Sequence, residues 1–174
     1  MIRRLPSLNQ LRAFEAAARY ARASGGQAGI TLSDPFCVER HRDDFLALVS
    51  EELDFVLGNE AEMISLYQTE TLDEAVMKAA EVCELVVCTR SGDPVVIVRG
   101  RERVEIPVHR VVPIDATGAG DQFAAGFLSG YVKSEPLGQC LHRGAITAAE
   151  VISHYGPRPE ADLKALITEK LGQP

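Results

Sequence analysis

The residues with the clearest chemical potential lie in a turn of small side chains, residues 115–121, which precedes an apolar run that favours a helix. Gly118 and Gly120 allow main-chain amides to come close to a ligand. Amides at a helix N-terminus also carry partial positive charge, so an anionic phosphate is the ligand that they favour. The spacing therefore predicts a phosphate-binding turn that opens onto a helix over residues 120–132.

Asp121, the carboxylate at this helix start, has two interpretations. It can be a simple cap that the helix dipole stabilises by about 0.5 to 2 kcal/mol. It can also take a proton from an attacking alcohol beside the amides that hold a transferring phosphoryl group. Considered alone, a small-residue turn before a helix is more often structural than catalytic.

The elements that must position this turn alternate between strand and helix. Apolar runs over 28–32, 53–57 and 85–88 predict strands, and helical periodicity covers 11–23, 43–49, 61–67 and 71–82, the last with a capping box from Thr71 to Glu74. Parallel βαβ units place ligands at the carboxyl ends of their strands. The polar turns at 33–34, 58–59 and 89–92 are therefore candidate sites. A hairpin over 95–108 and helices over 137–154 and 161–171 complete the prediction.

Composition narrows the class of protein. The 174 residues carry a net charge of −7, with 18 Lys and Arg against 25 Asp and Glu, so neither nucleic acid nor an anionic membrane is an expected partner. No apolar stretch approaches the roughly 18 residues that span a bilayer, which predicts a cytoplasmic protein. The 4 cysteines lack zinc-site spacing and are expected to be reduced thiols in the core.

Several segments together resemble one protein family. The turn at 115–121 with the following run 123–127 resembles the C-terminal signature of the PfkB, or ribokinase-like, family of ATP-dependent sugar and nucleoside kinases. Residues 31–38 resemble a strand-end loop of the family's adenosine-kinase-like branch, and residues 59–62 have the family's N-x-x-E form. Residues 88–92 lie where the family's nucleotide loop begins. Residues 148–156 resemble the family's closing helix beside the adenine. The resemblance implies an α/β protein with a three-layer α/β/α ribokinase-like fold and a parallel sheet.

The resemblance also implies roles for the matching residues, with ATP and Mg²⁺ as the cofactors. Asp121 matches the catalytic base, and Gly118, Ala119 and Gly120 match the amides of the anion hole. Asn59 and Glu62 match a pair near magnesium and the phosphates, although N-x-x-E alone would indicate a helix-start Asn and a solvated Glu.

Further matching positions are implied to contact the nucleotide or an ion. Those on the nucleotide side are Asp34, Thr89, Ser91 and Gly92. Asp115 and Thr117, with Gly156, match positions that line a monovalent-cation site, such as one for K⁺, in some members. Glu62 and Asp115 are thus the expected metal ligands.

This chain departs from the family pattern in three places. Ala116 replaces the more usual Thr or Ser, and the loop after Thr89 is short. The resemblance covers about residues 11–171, yet it corresponds only to the C-terminal half of a family member. We therefore expect residues 1–10 to be an N-terminal extension and 11–174 the C-terminal nucleotide-binding part of a kinase domain, with the N-terminal half and its small β lid missing.

Three functions remain open at this point. The first is an ATP-dependent kinase that acts on an alcohol of a nucleoside or sugar, an adenosine kinase or a related sugar kinase in truncated form. The second is a non-catalytic remnant that keeps nucleotide binding. The third is DNA binding, because residues 5–19 resemble the opening helix of LysR-type regulators, but Gly25 and Gly26 lead into an apolar strand instead of a recognition helix. The sequence leaves the acceptor and the oligomeric state open.

The expected absence of the N-terminal half generates a prediction about competence. Aligning an acceptor alcohol with the γ-phosphate and excluding water are tasks of that half. The 174-residue chain alone is therefore expected to bind ATP weakly and to phosphorylate adenosine or sugars at no more than background rate. A steady-state assay with ATP, magnesium and a panel of nucleosides and sugars measures this, and robust turnover of any acceptor would contradict it.

Overall fold

The computed structural model describes residues 8–108 and 110–172 of the chain. The contacts divide it into two compact units, Met1–Thr89 with Val96–Val104 (unit 1) and Arg90–Val95 with Glu105–Pro174 (unit 2). The expected N-terminal extension lies outside the described residues except for positions 8–10, which belong to the first helix. Of the LysR-like segment, residues 5–7 also lie outside them.

The secondary structure follows the predicted order of strands and helices, with additions. The elements are α1 (Leu8–Ala23), β1 (Gly29–Thr31), α2 (Pro35–Arg40), α3 (Arg42–Glu51), β2 (Phe55–Asn59), α4 (Glu60–Tyr67), α5 (Leu72–Val82), β3 (Leu85–Arg90), β4 (Asp93–Arg99), β5 (Glu102–Ile106), α6 (Ala119–Tyr131), α7 (Leu137–Val151) and α8 (Leu163–Leu171). No helix in the described ranges is long and apolar enough to cross a membrane. Because β1 and not a second helix follows α1, the helix-turn-helix alternative is wrong for this segment.

One five-stranded sheet runs in the order β1-β2-β3-β4-β5. The first three strands are parallel, and their register places Phe55 opposite both Gly29 and Leu85. The same register makes Asn59 and Thr89 partners at the carboxyl ends of β2 and β3. Residues 91–92 and 100–101 join the last three strands, and a two-residue connection between neighbouring strands is that of an antiparallel hairpin. The parallel order and the hairpin are confirmed.

The core of unit 1 is built on the parallel strands. In β3 the first four residues are buried, as expected for a strand covered on both faces. Helices contribute Val38, Val49, Leu66 and Val76, all fully buried, to the same cluster. Gly29 lets β1 approach β2, because an added Cβ would lie 2.0 Å from the Phe55 ring. All four cysteines of the chain are buried and free, as expected for core thiols.

In unit 2, close packing of α6 against α7 depends on two glycines. A Cβ on Gly126 would lie 2.4 Å from the Thr147 hydroxyl oxygen, and one on Gly144 would lie 2.8 Å from the Phe123 carbonyl oxygen. The Thr147 hydroxyl uses this proximity to donate a hydrogen bond of 2.6 Å to the carbonyl of Gln122. Helix α6, which follows the turn of residues 115–121, is therefore packed tightly against α7.

The turn predicted at 33–34 lies between β1 and α2, and Asp34 in addition caps α2, whose first residue is Pro35, since Pro is favoured at the first helical position. The structure corrects two other local predictions. Residues 58–59, also predicted as a turn, end β2, which passes directly into α4.

The capping box predicted at α5 is only half formed. The Thr71 hydroxyl accepts a hydrogen bond from the amide of Glu74, but the Glu74 carboxylate accepts from the amide of Glu70. A capping box needs the carboxylate to return to the backbone of the N-cap residue itself, which Glu74 does not do.

The close approach of α6 and α7 predicts unequal effects of alanine substitution at two glycines of α7. Gly144→Ala is expected to lower the free energy of unfolding by about 1 to 3 kcal/mol, because the new methyl group would overlap the Phe123 backbone. Gly138→Ala is the control, since its Cβ would meet only Ile106 at an ordinary 3.4 Å, and it should cause no loss. Urea denaturation measures both, and equal losses would contradict close packing at Gly144.

Candidate functional site

The first candidate cluster lies in unit 1, where β2 passes into α4 at Asn59. The Asn59 side-chain oxygen accepts a hydrogen bond of 2.9 Å from the amide of Glu62. In return, the Glu62 carboxylate accepts hydrogen bonds from the Asn59 main-chain amide at 2.8 Å and from its side-chain amide at 2.7 Å. The N-x-x-E segment is thus a complete capping box with one additional hydrogen bond.

Glu62 is buried, so the interpretation of this residue as a solvated glutamate is wrong. Its exposed fraction is 5%, and Gly58 makes room for it, because a Cβ there would lie 3.2 Å from the carboxylate and 2.9 Å from the Leu32 side chain. Burial raises the pKa of Glu62, hydrogen bonding to Asn59 lowers it, and the charge of Asp34 raises it further. An acidic group held in this way is costly to bury without partners, and Asn59 provides them.

Asp34 belongs to the same cluster. Its carboxylate caps α2 by accepting a hydrogen bond of 2.8 Å from the amide of Cys37. The amide of Leu32 donates to the carbonyl of Leu57 at 3.0 Å, which keeps the end of β1 beside β2. With Thr89 as the register partner of Asn59, the fold brings four predicted site residues of unit 1 to the carboxyl edge of its parallel strands: Asp34, Asn59, Glu62 and Thr89.

The second candidate cluster is the turn of residues 115–121 in unit 2. One Asp115 carboxylate oxygen accepts a hydrogen bond from the Thr117 amide and the other from the Gly156 amide, each at 2.9 Å. The fold therefore brings together the three residues that the sequence assigned to a cation site, Asp115, Thr117 and Gly156. Gly118 has φ 84°, and a Cβ there would lie 2.8 Å from the Pro157 side chain, so this position requires glycine.

Hydrogen bonding keeps Asp115 ionised. The Thr117 hydroxyl, the Gly156 amide and the Thr117 amide lower the pKa of Asp115 to about 2, against a smaller opposing effect of burial. A carboxyl group whose pKa is lower in the folded state stabilises the fold at pH values above its unfolded pKa, about 3.9. This contribution is lost as the pH falls from there towards about 2, so the turn keeps its charge at neutral pH.

The N-terminus of α6 presents unpaired amides. The Ala119 amide donates to the Ala116 carbonyl at 3.2 Å, whereas the amides of Gly120 and Asp121 find no acceptor within the ranges that the structure describes. Space beside Gly120 is open, because a Cβ there would meet no atom within 4 Å. These two amides can therefore donate hydrogen bonds to an anion from solvent.

Asp121 lies in the first turn of α6 with its side chain exposed. Gly118, not Asp121, is the N-cap residue, and the Asp121 carboxylate makes no hydrogen bond to any other described residue. A favourable interaction with the helix dipole remains, but the carboxylate is not committed to capping the backbone. It is therefore available to a ligand bound at the amides of Gly120 and Asp121.

Ser91 and Gly92 form a tight hairpin turn between β3 and β4, where the sequence predicted a loop over 89–92. Their φ values of 46° and 96° are both positive, which is typical of the two-residue turn that matches strand twist. Arg110 holds this turn in unit 2 by donating to the Gly92 carbonyl at 3.2 Å and to the Asp93 carboxylate at 2.5 Å. Thr89 is a strand residue in unit 1.

Sequence reasoning missed three residues that hold these clusters. Arg110 and Pro157 belong to segments without a motif of their own. Glu150 has a buried side chain near the end of α7, within a segment that was used only for its resemblance. The available signal was that Glu150 is the one acidic residue in the mainly apolar segment 145–152. Because an acidic residue is rarely buried without partners, this position indicated a glutamate with a hydrogen-bonding role.

Comparison with known proteins identifies a family that the chain resembles over most of its length. A family model described as pfkB family carbohydrate kinase matches residues 4–163. Cytidine kinase from Thermococcus kodakarensis is 34% identical over 118 residues, 66% of this chain and 42% of its own. Adenosine kinase 2 from Arabidopsis thaliana is 28% identical over 156 residues, 79% of this chain and 44% of its own.

Among solved structures, adenosine kinase from Sinorhizobium meliloti matches with a TM-score of 0.88 and 41% identity, over 91% of this chain and 49% of its own. This similarity confirms the expected fold class. The chain spans about half the length of the relatives that it matches.

The buried capping box predicts unequal costs for two N-cap substitutions. Asn59→Ala is expected to cost about 1 to 3 kcal/mol of unfolding free energy, because Glu62 would remain buried without its partner. Thr71→Ala, the control at the exposed start of α5, should cost only about 0.5 to 2 kcal/mol. Urea denaturation at pH 7 compares them. A smaller loss for Asn59→Ala than for Thr71→Ala would show that Glu62 does not depend on Asn59.

Proposed function

Because the chain belongs to the pfkB family of carbohydrate kinases, we propose that it is the nucleotide-binding part, residues 11–174, of an ATP-dependent phosphotransferase. The acceptor is an alcohol group of a nucleoside, as in an adenosine kinase, or of a sugar. A nucleoside is favoured because adenosine and cytidine kinases are among the relatives, one of them 41% identical.

One observation of the site carries the proposal. The amides of Gly120 and Asp121 are unpaired at the start of α6, beside open space and next to an exposed carboxylate. Unpaired amides at a helix N-terminus favour a phosphate group, and a carboxylate beside them can take a proton. A purely structural helix cap would account neither for the unpaired amides nor for the free carboxylate beside them.

Asp121 is the general base of the proposed reaction. Its carboxylate takes the proton of the acceptor hydroxyl while the hydroxyl oxygen forms a bond to the γ-phosphorus of ATP. The bond from that phosphorus to the bridging oxygen breaks, and ADP leaves. The amides of Gly118, Ala119 and Gly120 are assigned to the negative charge on the transferring group. In this arrangement the Ala119 amide first has to exchange its contact with Ala116 for the phosphate.

The donor set of unit 1 fits a magnesium ion held mainly by nucleotide phosphates. The described residues contain no group of three or more His, Cys, Asp or Glu side chains placed to bind a metal. Mg²⁺ commonly uses only one or two carboxylates together with substrate phosphates, so Glu62, supported by Asn59, would be sufficient. The ion would neutralise charge on the phosphates.

The remaining predicted contacts belong to the same proposal. Asp34, Thr89, Ser91 and Gly92 are assigned to the nucleotide side. A monovalent cation such as K⁺ at Asp115, Thr117 and Gly156 would offset the charge of the ionised Asp115 carboxylate.

A second candidate function is nucleotide binding without catalysis. It is favoured by the length of the match, since the chain spans about half of each relative, and a base without a positioned acceptor loses most of the advantage of proximity. Calorimetric titration with ATP, run beside a phosphoryl-transfer assay, separates the two. Binding without transfer supports the second function, and no binding of ATP would contradict both.

Asp121→Asn tests the assignment of the base. In the phosphotransferase that carries this chain, the variant is expected to keep ATP affinity and to lower kcat by about 10²- to 10⁴-fold, because the amide cannot accept the proton. Glu169→Gln, an exposed acidic position on α8, is the control and should leave both quantities unchanged. Retention of more than about a tenth of the wild-type kcat by Asp121→Asn would exclude a base at this position.

A further inference from the structure

The loop of residues 152–161, which joins α7 to α8, contacts the phosphate-binding turn along its first half. The Ile114 amide donates a hydrogen bond of 2.7 Å to the carbonyl of Ile152. Four residues further on, the Gly156 amide donates to the Asp115 carboxylate at 2.9 Å. The 152–161 loop thus supplies one wall of the turn.

The next residue of the loop, Pro157, restricts the turn sterically. It lies so close to Gly118 that a Cβ on this glycine would be 2.8 Å from the proline side chain. Gly118 is the N-cap of α6 and precedes the unpaired amides of Gly120 and Asp121. Displacement of the 152–161 loop would therefore remove the steric restriction on Gly118, the N-cap residue that precedes those amides.

The far end of the 152–161 loop is held by Glu150. One oxygen of its carboxylate accepts hydrogen bonds from the amides of Glu160 at 2.9 Å and Ala161 at 2.8 Å. The Glu150 side chain is only 8% exposed, and its second oxygen is buried without a hydrogen-bond partner among the described residues. The His154 ring lies 3.4 Å from the first oxygen. Because burial of a carboxylate costs free energy, Glu150 is expected to have a structural or functional role.

The backbone of Glu150 belongs to a tightly packed helix. It is on α7, which packs closely against α6 through Gly144 and Gly126. The 152–161 loop leaves α7 at one end and is tied back to α7 by Glu150 at the other, so its middle, with Gly156, has little freedom to move away from Asp115.

We propose that Glu150 is a positioning residue that keeps the 152–161 loop closed on the phosphate-binding turn. By fixing the amides of Glu160 and Ala161, it holds Gly156 on Asp115 and so orders the amides that bind phosphate. The part of the proposal that concerns phosphate rests on the proposed function, whereas the part that concerns the loop does not.

Amide hydrogen exchange and ATP titration of one series of variants test the proposal. Glu150→Leu removes the acceptor, Glu150→Asp shortens it, and Glu150→Gln keeps an acceptor of the same length without the charge. Glu169→Gln on α8 is the control. The reporters are the amides of Glu160 and Ala161, which Glu150 contacts, and those of Gly156 and Thr117, which it does not.

At Gly156 and Thr117, exchange is expected to be fastest in Glu150→Leu, slower in Glu150→Asp, and close to the wild-type rate in Glu150→Gln. Compared with wild type, Glu150→Leu should exchange about tenfold faster or more at both positions and bind ATP about tenfold more weakly. Glu150→Gln should match wild type in both measurements. If Glu150→Leu does not fold, the comparison of Glu150→Asp with Glu150→Gln decides in the same way.

Two results would overturn the proposal. Faster exchange confined to Glu160 and Ala161 would show that Glu150 caps only the local backbone. Faster exchange at Gly156 with unchanged ATP affinity would show that the 152–161 loop does not order the phosphate site. If the wild-type protein binds no ATP, the proposed function fails, and exchange at Gly156 still decides whether Glu150 positions the loop.

Discussion

The carboxylate of Asp115 accepts hydrogen bonds from Thr117, 2 positions away, and from Gly156, 41 positions away in the chain, and the turn of residues 115–121 depends on this contact. One oxygen fixes the turn itself through Thr117, and the other fixes the 152–161 loop through Gly156. Because these hydrogen bonds favour the ionised form, the same contact keeps a negative charge next to the proposed anion site. In the proposed function the main-chain amides hold the phosphate beside this charge, so their orientation must be accurate.

Unit 1 uses a buried acidic residue in a similar way. Glu62 orders the junction between β2 and α4, where a strand passes into a helix without an intervening turn. The junction places Asn59 at the carboxyl edge of the sheet, and Gly58 provides the space for the buried carboxylate. In both units, an acidic side chain satisfies backbone amides and thereby fixes the position of its neighbours. A charged group is expensive to bury, and for Glu62 the hydrogen bonds from Asn59 to both carboxylate oxygens offset that cost.

Much of the fold could be predicted from local pattern. The apolar runs that became β2 and β3 are short and bounded by polar residues, and the periodicity of α5 to α8 is regular enough to give their approximate ends. Helix α2 was missed because a run of six residues is too short to show periodicity, although Asp34 and Pro35 carried the signal of a capped start. The hairpin of β4 and β5 was found, but the loop expected over 89–92 is only a two-residue turn, since β3 continues to Arg90 and β4 begins at Asp93.

The sequence by itself determined the family, the parallel order of the first three strands and the small-residue turn at the start of α6, because these depend on residue type and local spacing. Only the tertiary structure decided that Glu62 is buried, that Gly118 meets Pro157, and that Glu150 holds the 152–161 loop. These contacts depend on which segments the chain brings together over long separations. Burial and hydrogen bonding between such segments leave no periodic trace in the sequence, so they could be found only in the folded chain.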